Sequence, residues 1–402
     1  MRIISINALP PYPPTFGGLV RTFNLLDRLL RRHDLTTLCF CRSAEDLENV
    51  RWLTDHGWDV RAAPFARLQP SRPQTWPALA RHVAAAFGGR PAGVTHWDQP
   101  AMRAALAAVA PGADVIQAEE GYLGPYLLRT PRGARRILTA LDVYTVTLSR
   151  RLAFTTGWRA RWSLRREIAL FRRYESRISS QVDRVLAMSE VDADILRSLN
   201  PAARVTVVPN GIDTIRLQPG PIAEHGHRLL FVGSPLHQPN IDAAVWLLTE
   251  IWPRILQRRP DVSLTLVYMN VPAVTRLAEG QPNVRVTGRI LDMVPLYREA
   301  DLCLAPIRIG SGTRFKILEA MALAAPVLST TIGAEGLAAH PGEHFALADT
   351  AEAFAAAAEA LLADVDRRRR LAAAGRRLVE SRYEWNRIVE QLEQVYQEME
   401  IN

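Results

Sequence analysis

Short apolar runs alternate with amphipathic stretches along most of the chain. RIISINAL (residues 2–9) is apolar and ends at PPYPP, which predicts a strand followed by a loop. In GGLVRTFNLLDRLLRR, Leu19, Phe23, Leu26, Leu29 and Leu30 recur at helical spacing. LTTLCFC, ADVIQAE (113–119), RRILTAL (135–141) and VDRVLAMS (182–189) read as buried strands, and a long helix is predicted from Trp158 to Gln181. The pattern then restarts. RVTVVPNGID (204–213) is a strand and a loop, QPGPIAEHG (218–226) a linker, and HRLLFVGS (227–234) a new strand and loop. SLTLVYM (263–269), VRVTG (284–288), DLCLAPI (301–307) and APVLST (325–330) are the later strands, with helices of ordinary length between them. Strands alternating with helices predict an α/β fold of parallel sheets covered on both faces. Two such doubly wound units meet near residues 210–225, and a ligand is expected beyond the carboxyl ends of their strands, in a cleft between them. The Ala-rich stretch 351–374 is a good helix former. The tail, 383–400, is an amphipathic helix carrying Trp385, Ile388, Leu392, Val395 and Met399 on one face.

Composition narrows the class. With 402 residues, 48% apolar and 22% charged, the chain is an ordinary globular protein of two or three domains. No apolar run approaches the roughly 20 residues that span a bilayer. The first residues lack the long apolar core of a secretion signal. Three cysteines are too few for a disulfide framework. Cys39 and Cys41, two apart, point the same way from a strand and predict thiols buried in a reducing cytoplasm. The net charge of +8 is concentrated: residues 129–177 hold thirteen Arg against Asp142, Glu167 and Glu175. That predicts a local anionic partner and argues against nucleic acid, for which no binding motif accompanies the charge.

One of the 49 basic residues is a lysine, Lys316, and it stands in the most informative segment, APIRIGSGTRFKILEAMALAAPVLST (305–330). A strand ends at residue 307, the loop RIGSGT follows, and a helix is expected from Thr313 to Leu323. Gly310, Ser311 and Gly312 let backbone N–H groups approach a ligand closely, at a helix N-terminus that favours anions. Arg314 and Lys316 add two cations where a bare helix disfavours them, a cost that a bound diphosphate would remove. A plain surface loop is the competing reading. Glu319 lies on the same helix face as Lys316. It suits vicinal ribose hydroxyls, or else forms a surface ion pair with Lys316. A second glycine loop, TFGGLVRT, places Gly17, Gly18 and Arg21 at the start of the first helix, and a third, FVGSPLHQPNIDA, follows residue 230. Neither is a GxGxxG fingerprint or a Walker loop.

Taken in order, GG at 17, VVPNGID at 207, FVG at 231, VTGR at 286 and GSGTRFKILEAMA at 310 resemble the retaining glycosyltransferases of family 4, over nearly the whole chain. The resemblance implies the GT-B architecture: two Rossmann-like domains facing a central cleft, with the tail helix crossing back to the first. The implied division is 1–208 plus 384–402 on the acceptor side, and 209–383 binding the donor. It further implies transfer of a sugar from a nucleotide diphosphate sugar to a glycan, lipid-linked or small-molecule acceptor, with retention of configuration. No metal or other cofactor is expected. Glu319 corresponds to the motif glutamate that binds the donor ribose. Gly288, Arg289 and Ile290 would border the base, Gly18 would approach the diphosphate, and Gly17, Gly233, Ser234 and Thr313 would join the donor site. Asn210 and Gly211 would lie at the interdomain hinge. The sequence departs from the family in three places. Ser311 stands where a first glutamate is common, and Ser234 and Pro239 stand where an Arg and a Lys are common. Leu141 and Asp142 occupy the place of a frequent histidine. Arg314 and Lys316 are therefore expected to supply the displaced diphosphate clamp. Asp142 either acts toward sugar or acceptor, or caps the next turn.

On the acceptor side the candidates are Arg21, His96, Glu119, Glu120 and Tyr122; ordinary loop or packing roles compete for each. The Arg-rich segment 129–177, with Trp158, Trp162, Leu164, Ile168 and Phe171, suits an interfacial helix on anionic lipid as well as it suits a solvated helix with one apolar face. A cytoplasmic protein, peripheral on the inner face of a membrane, is the corresponding expectation. Two rival readings stay open: a nucleotide-sugar epimerase on the same fold, and a non-catalytic sugar-nucleotide binder, which Ser311 and Leu141 keep open.

Overall fold

The computed structural model describes the chain except residues 16, 66–88, 132, 236, 311–314 and 401–402, and the side chain of Glu400. It divides into two units, Met1–Pro209 with Val389–Asn402, and Asn210–Ile388.

Among the described residues, the first unit is built on a seven-stranded sheet: β1 Arg2–Asn7, β2 Asp34–Cys41, β3 Asp59–Pro64, β4 Val115–Ala118, β5 Arg135–Ala140, β6 Arg184–Ala187 and β7 Val205–Val207. The strand order is β3-β2-β1-β4-β5-β6-β7 and every pairing is parallel. Ile4, Ile6, Leu38, Phe40, Ile116 and Leu138 fill its core, which is why these strands read as continuous apolar runs. The helix Gly17–Leu30 lays Leu25, Leu26 and Leu29 into the interior. The long helix runs Trp158–Ser179, close to its predicted span. β3 is half polar and carried no strand signal in the sequence.

The second unit repeats the plan with β8 Arg228–Val232, β9 Ser263–Val267, β10 Val284–Val286, β11 Leu302–Ala305, β12 Val327–Ser329 and β13 Ala346–Leu347. Their order is β10-β9-β8-β11-β12-β13, again all parallel. β8 starts where it does because buried Asp301 accepts the backbone N–H groups of Gly226, His227 and Arg228 at 2.8, 3.1 and 3.0 Å. The Arg368 guanidinium, equally buried, lies 3.4 Å from the same carboxylate. The Ala-rich region is two helices, Ala351–Ala363 and Val365–Arg382. Asp364 breaks them by accepting the Arg367 N–H at 2.8 Å, an N-cap that composition alone hid. The tail helix Trp385–Glu400 buries Trp385, Ile388, Val389, Leu392, Val395 and Tyr396.

In each sheet the strand order reverses once, between β1 and β4 and between β8 and β11. At such a switch point the neighbouring loops diverge and leave a crevice beyond the strand ends. Among the described residues no helix is long and apolar enough to cross a membrane. The cysteines are free, with Cys39 and Cys303 buried and Cys41 half-buried.

Candidate functional site

In the second unit, the loops after β8 and β11 meet at the switch point. Gly233 directly follows β8 and has no room for a side chain: a Cβ there would lie 2.8 Å from Met269 Sδ and 3.1 Å from Asn240 Cβ. Gly310, in the loop after β11, has φ +106°, a conformation that side-chain-bearing residues rarely adopt. Lys316 sits at the start of the helix Phe315–Ala322. Its ammonium donates to Asn240 Oδ1 at 2.7 Å and rests 4.6 Å from the Phe231 ring centroid. Asn240 Nδ2 in turn donates to the Ser234 carbonyl at 3.2 Å. Gly233, Ser234 and Lys316, predicted from separate motifs, are thus brought together. Asn240 and Phe231 complete the group. The only signal for Asn240 was the Pro-Asn pair in the third glycine loop. Ser311, Gly312, Thr313 and Arg314 lie outside the described residues.

Glu319, one turn along the same helix, is half-buried and accepts from the buried Tyr297 hydroxyl at 3.0 Å. Burial raises its pKa, while Tyr297, Lys316 and Arg216 pull it down. The loop after β10 is pinned to the loop after β9, where Tyr268 N–H donates to Gly288 O at 3.2 Å and Met269 N–H to Thr287 O at 3.2 Å. Arg289 is exposed there, and Ile290 packs half-buried against the second unit's core.

The first unit gives a mixed outcome at its own switch point. Gly17 and Gly18 open the first helix, as expected. Arg21 and Glu119 depart from the acceptor-side expectation: both are buried, at 0% and 3% exposure. Arg21 Nη1 donates to the Pro209 carbonyl at 2.5 Å. Burial pushes its guanidinium down to about 10, against the opposing pull of Glu119 and Tyr396. Burial also raises Glu119, opposed first by Arg21. Gln117 Nε2 donates to Glu119 Oε1 at 2.6 Å, and Gln117 Oε1 accepts from the Tyr396 hydroxyl at 2.8 Å. Arg21 and Glu119 therefore belong to an interior network that joins the first helix to the tail helix.

The remaining acceptor-side candidates form a connected group. His96 lies edge-on to Trp97 at 5.4 Å, and Trp97 stacks on Tyr122 at 5.4 Å and 17°. Tyr122 stands 5.9 Å from Tyr144, whose hydroxyl donates to Glu120 Oε2 at 3.2 Å. Burial, and after it the charge of Asp142, raises Glu120 to about 8. Glu175 was missed. From the long helix it accepts the N–H groups of Tyr144 and Thr145 at 2.7 and 3.2 Å, and so caps the helix Tyr144–Ala153. The capping task considered for Asp142 is met there by Glu175, whose own pKa is raised by burial to about 7.

From Tyr144 onward the Arg-rich region is a helical hairpin, Tyr144–Ala153 and Trp158–Ser179. Only the far end of the long helix is buried, through Leu170, Phe171, Glu175, Ile178 and Ser179. At the near end Phe154, Trp158 and Trp162 are 50%, 74% and 65% exposed. Arg161 closes the turn by donating to the carbonyls of Leu152 and Thr155, each at 3.0 Å.

Two doubly wound parallel-sheet units on one chain, each with one strand reversal, form the GT-B architecture. Solved structures agree over nearly the full length. Sucrose-phosphate synthase from Thermosynechococcus elongatus is 17% identical with a TM-score of 0.72, covering 99% of each chain. HepE from Anabaena, in complex with UDP and glucose, is 14% identical with a TM-score of 0.70, covering 99% of this chain and all of its own. Residues 16–216 match the family described as Glycosyltransferase Family 4, and residues 226–364 match Glycosyl transferases group 1. The chain belongs to glycosyltransferase family 4, group 1. Among curated proteins, a phosphatidyl-myo-inositol mannosyltransferase of Mycobacterium tuberculosis is 30% identical over 47% of this chain and 53% of its own. An uncharacterized protein of a Klebsiella pneumoniae cps region is 24% identical over 47% of this chain and 50% of its own. The chain spans about half the length of the curated relatives it matches.

Proposed function

We propose that the protein transfers a sugar from a nucleotide diphosphate sugar to a sugar or lipid-linked acceptor. The observation that carries this reading is the placement of Lys316 against Asn240 at the β8/β11 switch point, between two glycine-bearing loops. In the reaction the bond from the anomeric carbon to the diphosphate breaks. The acceptor oxygen bonds that carbon on the same face, and the acceptor proton passes to the departing diphosphate. Negative charge develops on the diphosphate, where Lys316, the backbone of the glycine loops and Arg314 would meet it. With protein cations in that role, no divalent metal is required. Glu319 would accept from the ribose hydroxyls, and Gly288, Arg289 and Ile290 would border the base. HepE, whose solved complexes contain UDP, UDP-glucose and glucose, supports a nucleotide-sugar donor by fold likeness.

On the acceptor side, His96, Glu120, Tyr122 and Asp142 offer aromatic faces beside carboxylates. Trp158, Trp162 and the arginines around them suit an anionic bilayer surface, so a lipid-linked acceptor met at the inner face of a membrane fits this chain. The named activity of the mycobacterial relative, mannosyl transfer to phosphatidyl-myo-inositol, has the same character. The test is a thermal-shift screen against UDP, GDP, TDP and ADP, followed by mass analysis with the matching sugar donors. A ligand at about 100 times its dissociation constant should stabilise by about 2.7 kcal/mol. An acceptor heavier by one sugar, with retained configuration, is the expected product. An isomerised donor would replace the reading with an epimerase, and binding without any turnover would replace it with a non-catalytic binder.

A further inference from the structure

The helix Gln238–Trp246, whose Asn240 holds Lys316, also carries a carboxylate two residues further on, Asp242. A negative side chain there opposes an anionic ligand. It is met by Arg308, three residues past the end of β11, which forks onto it with Nη2 to Oδ1 at 2.8 Å and Nε to Oδ2 at 3.1 Å. The pair is largely withdrawn from water, with side chains 30% and 16% exposed. The guanidinium also lies over the Trp246 ring, 4.9 Å from its centroid. A fork of this kind fixes geometry as well as charge. It ties the loop after β11 to the helix after β8, across the same strand reversal that Lys316 and Asn240 bridge.

We propose that Arg308 is a positioning residue that masks Asp242, so that the crevice keeps a rigid cross-tie without presenting a bare carboxylate to the diphosphate. The inference rests on the proposed reading of that site. Masking differs from two simpler roles. If the pair were only a strut, breaking it from either side would do equal harm. If Arg308 itself touched phosphate, removing Asp242 could not compensate for its loss.

The experiment is calorimetric titration of the full chain with inorganic pyrophosphate and with the nucleoside diphosphate found in the thermal-shift screen. The variants are Arg308→Gln, Asp242→Asn and the double change. Arg308→Gln should weaken binding about tenfold, because it leaves Asp242 charged and unpaired. Asp242→Asn should bind at least as tightly as the parent, and the double variant should return to within about threefold of it, a coupling that independent sites do not show. A loss in Asp242→Asn equal to that in Arg308→Gln overturns the proposal in favour of a strut. A double variant as weak as Arg308→Gln overturns it in favour of direct phosphate contact. A parent that binds neither probe removes the diphosphate reading itself, and this inference with it.

Discussion

Lys316 Nζ lies 2.7 Å from Asn240 Oδ1, so the one lysine of the chain is held by an amide from the first turn of the helix Gln238–Trp246, on the other side of the switch point. An amide oxygen orients the ammonium while bringing no charge of its own to the contact. Lys316→Gln removes the positive charge at similar size and should cut kcat/KM for the donor about 10²-fold, the usual effect of losing one transition-state donor. Asn240→Ala should cost less, because the charge stays and only its aim is lost. Steady-state kinetics with the donor identified by thermal shift would measure both. Equal activity in Lys316→Gln and the parent would detach the lysine from the chemistry.

The Arg21–Glu119 network has a different signature. Arg21→Met leaves Glu119 buried with its main positive neighbour gone, a change that typically costs about 3–5 kcal/mol. Arg21→Met with Glu119→Gln should recover much of that loss, because no buried charge remains. Chemical denaturation of the three variants reads this directly. A double variant no more stable than Arg21→Met would show that the Pro209 contact, and not the charge balance, is what Arg21 supplies.

The exposed aromatics of the hairpin predict a lipid response. The parent should sediment with phosphatidylglycerol vesicles, more weakly as salt rises, and should ignore phosphatidylcholine vesicles. Trp158→Ser with Trp162→Ser should reduce the bound fraction several-fold while leaving nucleotide binding unchanged. Sedimentation of parent and variant to the same extent would assign these side chains to solvent.

How far the sequence reached differs between the two levels. The strand and helix order was legible because buried parallel strands are continuous apolar runs and the helices between them have a clear period. β3 escaped because Asp59 and Arg61 interrupt such a run, and β13 because it is two residues long. At the site, glycines and a solitary lysine stand out by type and spacing. Partnerships over long sequence separations do not. Lys316 with Asn240, Arg308 with Asp242, Tyr297 with Glu319 and Glu175 with Tyr144 are each set by the fold bringing two segments together, and neither member announces the other. Arg21 and Glu119 looked like site residues because charge at a helix start or just past a strand end is visible in sequence, while burial is not.

Two of the raised carboxyls set a pH response with a definite sign. Glu120 moves from 4.5 to about 8, chiefly by burial and then by Asp142, and Glu175 moves from 4.5 to about 7, chiefly by burial. The folded state therefore holds these protons more tightly than the unfolded chain does. Their contribution to stability is fully present below about pH 4.5, falls through the interval up to the folded pKa values, and is gone above about pH 8. The unfolding midpoint should decline between pH 5 and pH 9. Glu120→Gln imitates the protonated acid and should flatten part of that decline, leaving the variant relatively more stable at pH 9. Asp142→Asn should shift the decline of the parent to lower pH, because it removes the second cause that raises Glu120. Calorimetric midpoints at five pH values would decide the matter. A decline of the same steepness in Glu120→Gln would mean that Glu120 is already ionised at neutral pH and that the pH response arises elsewhere.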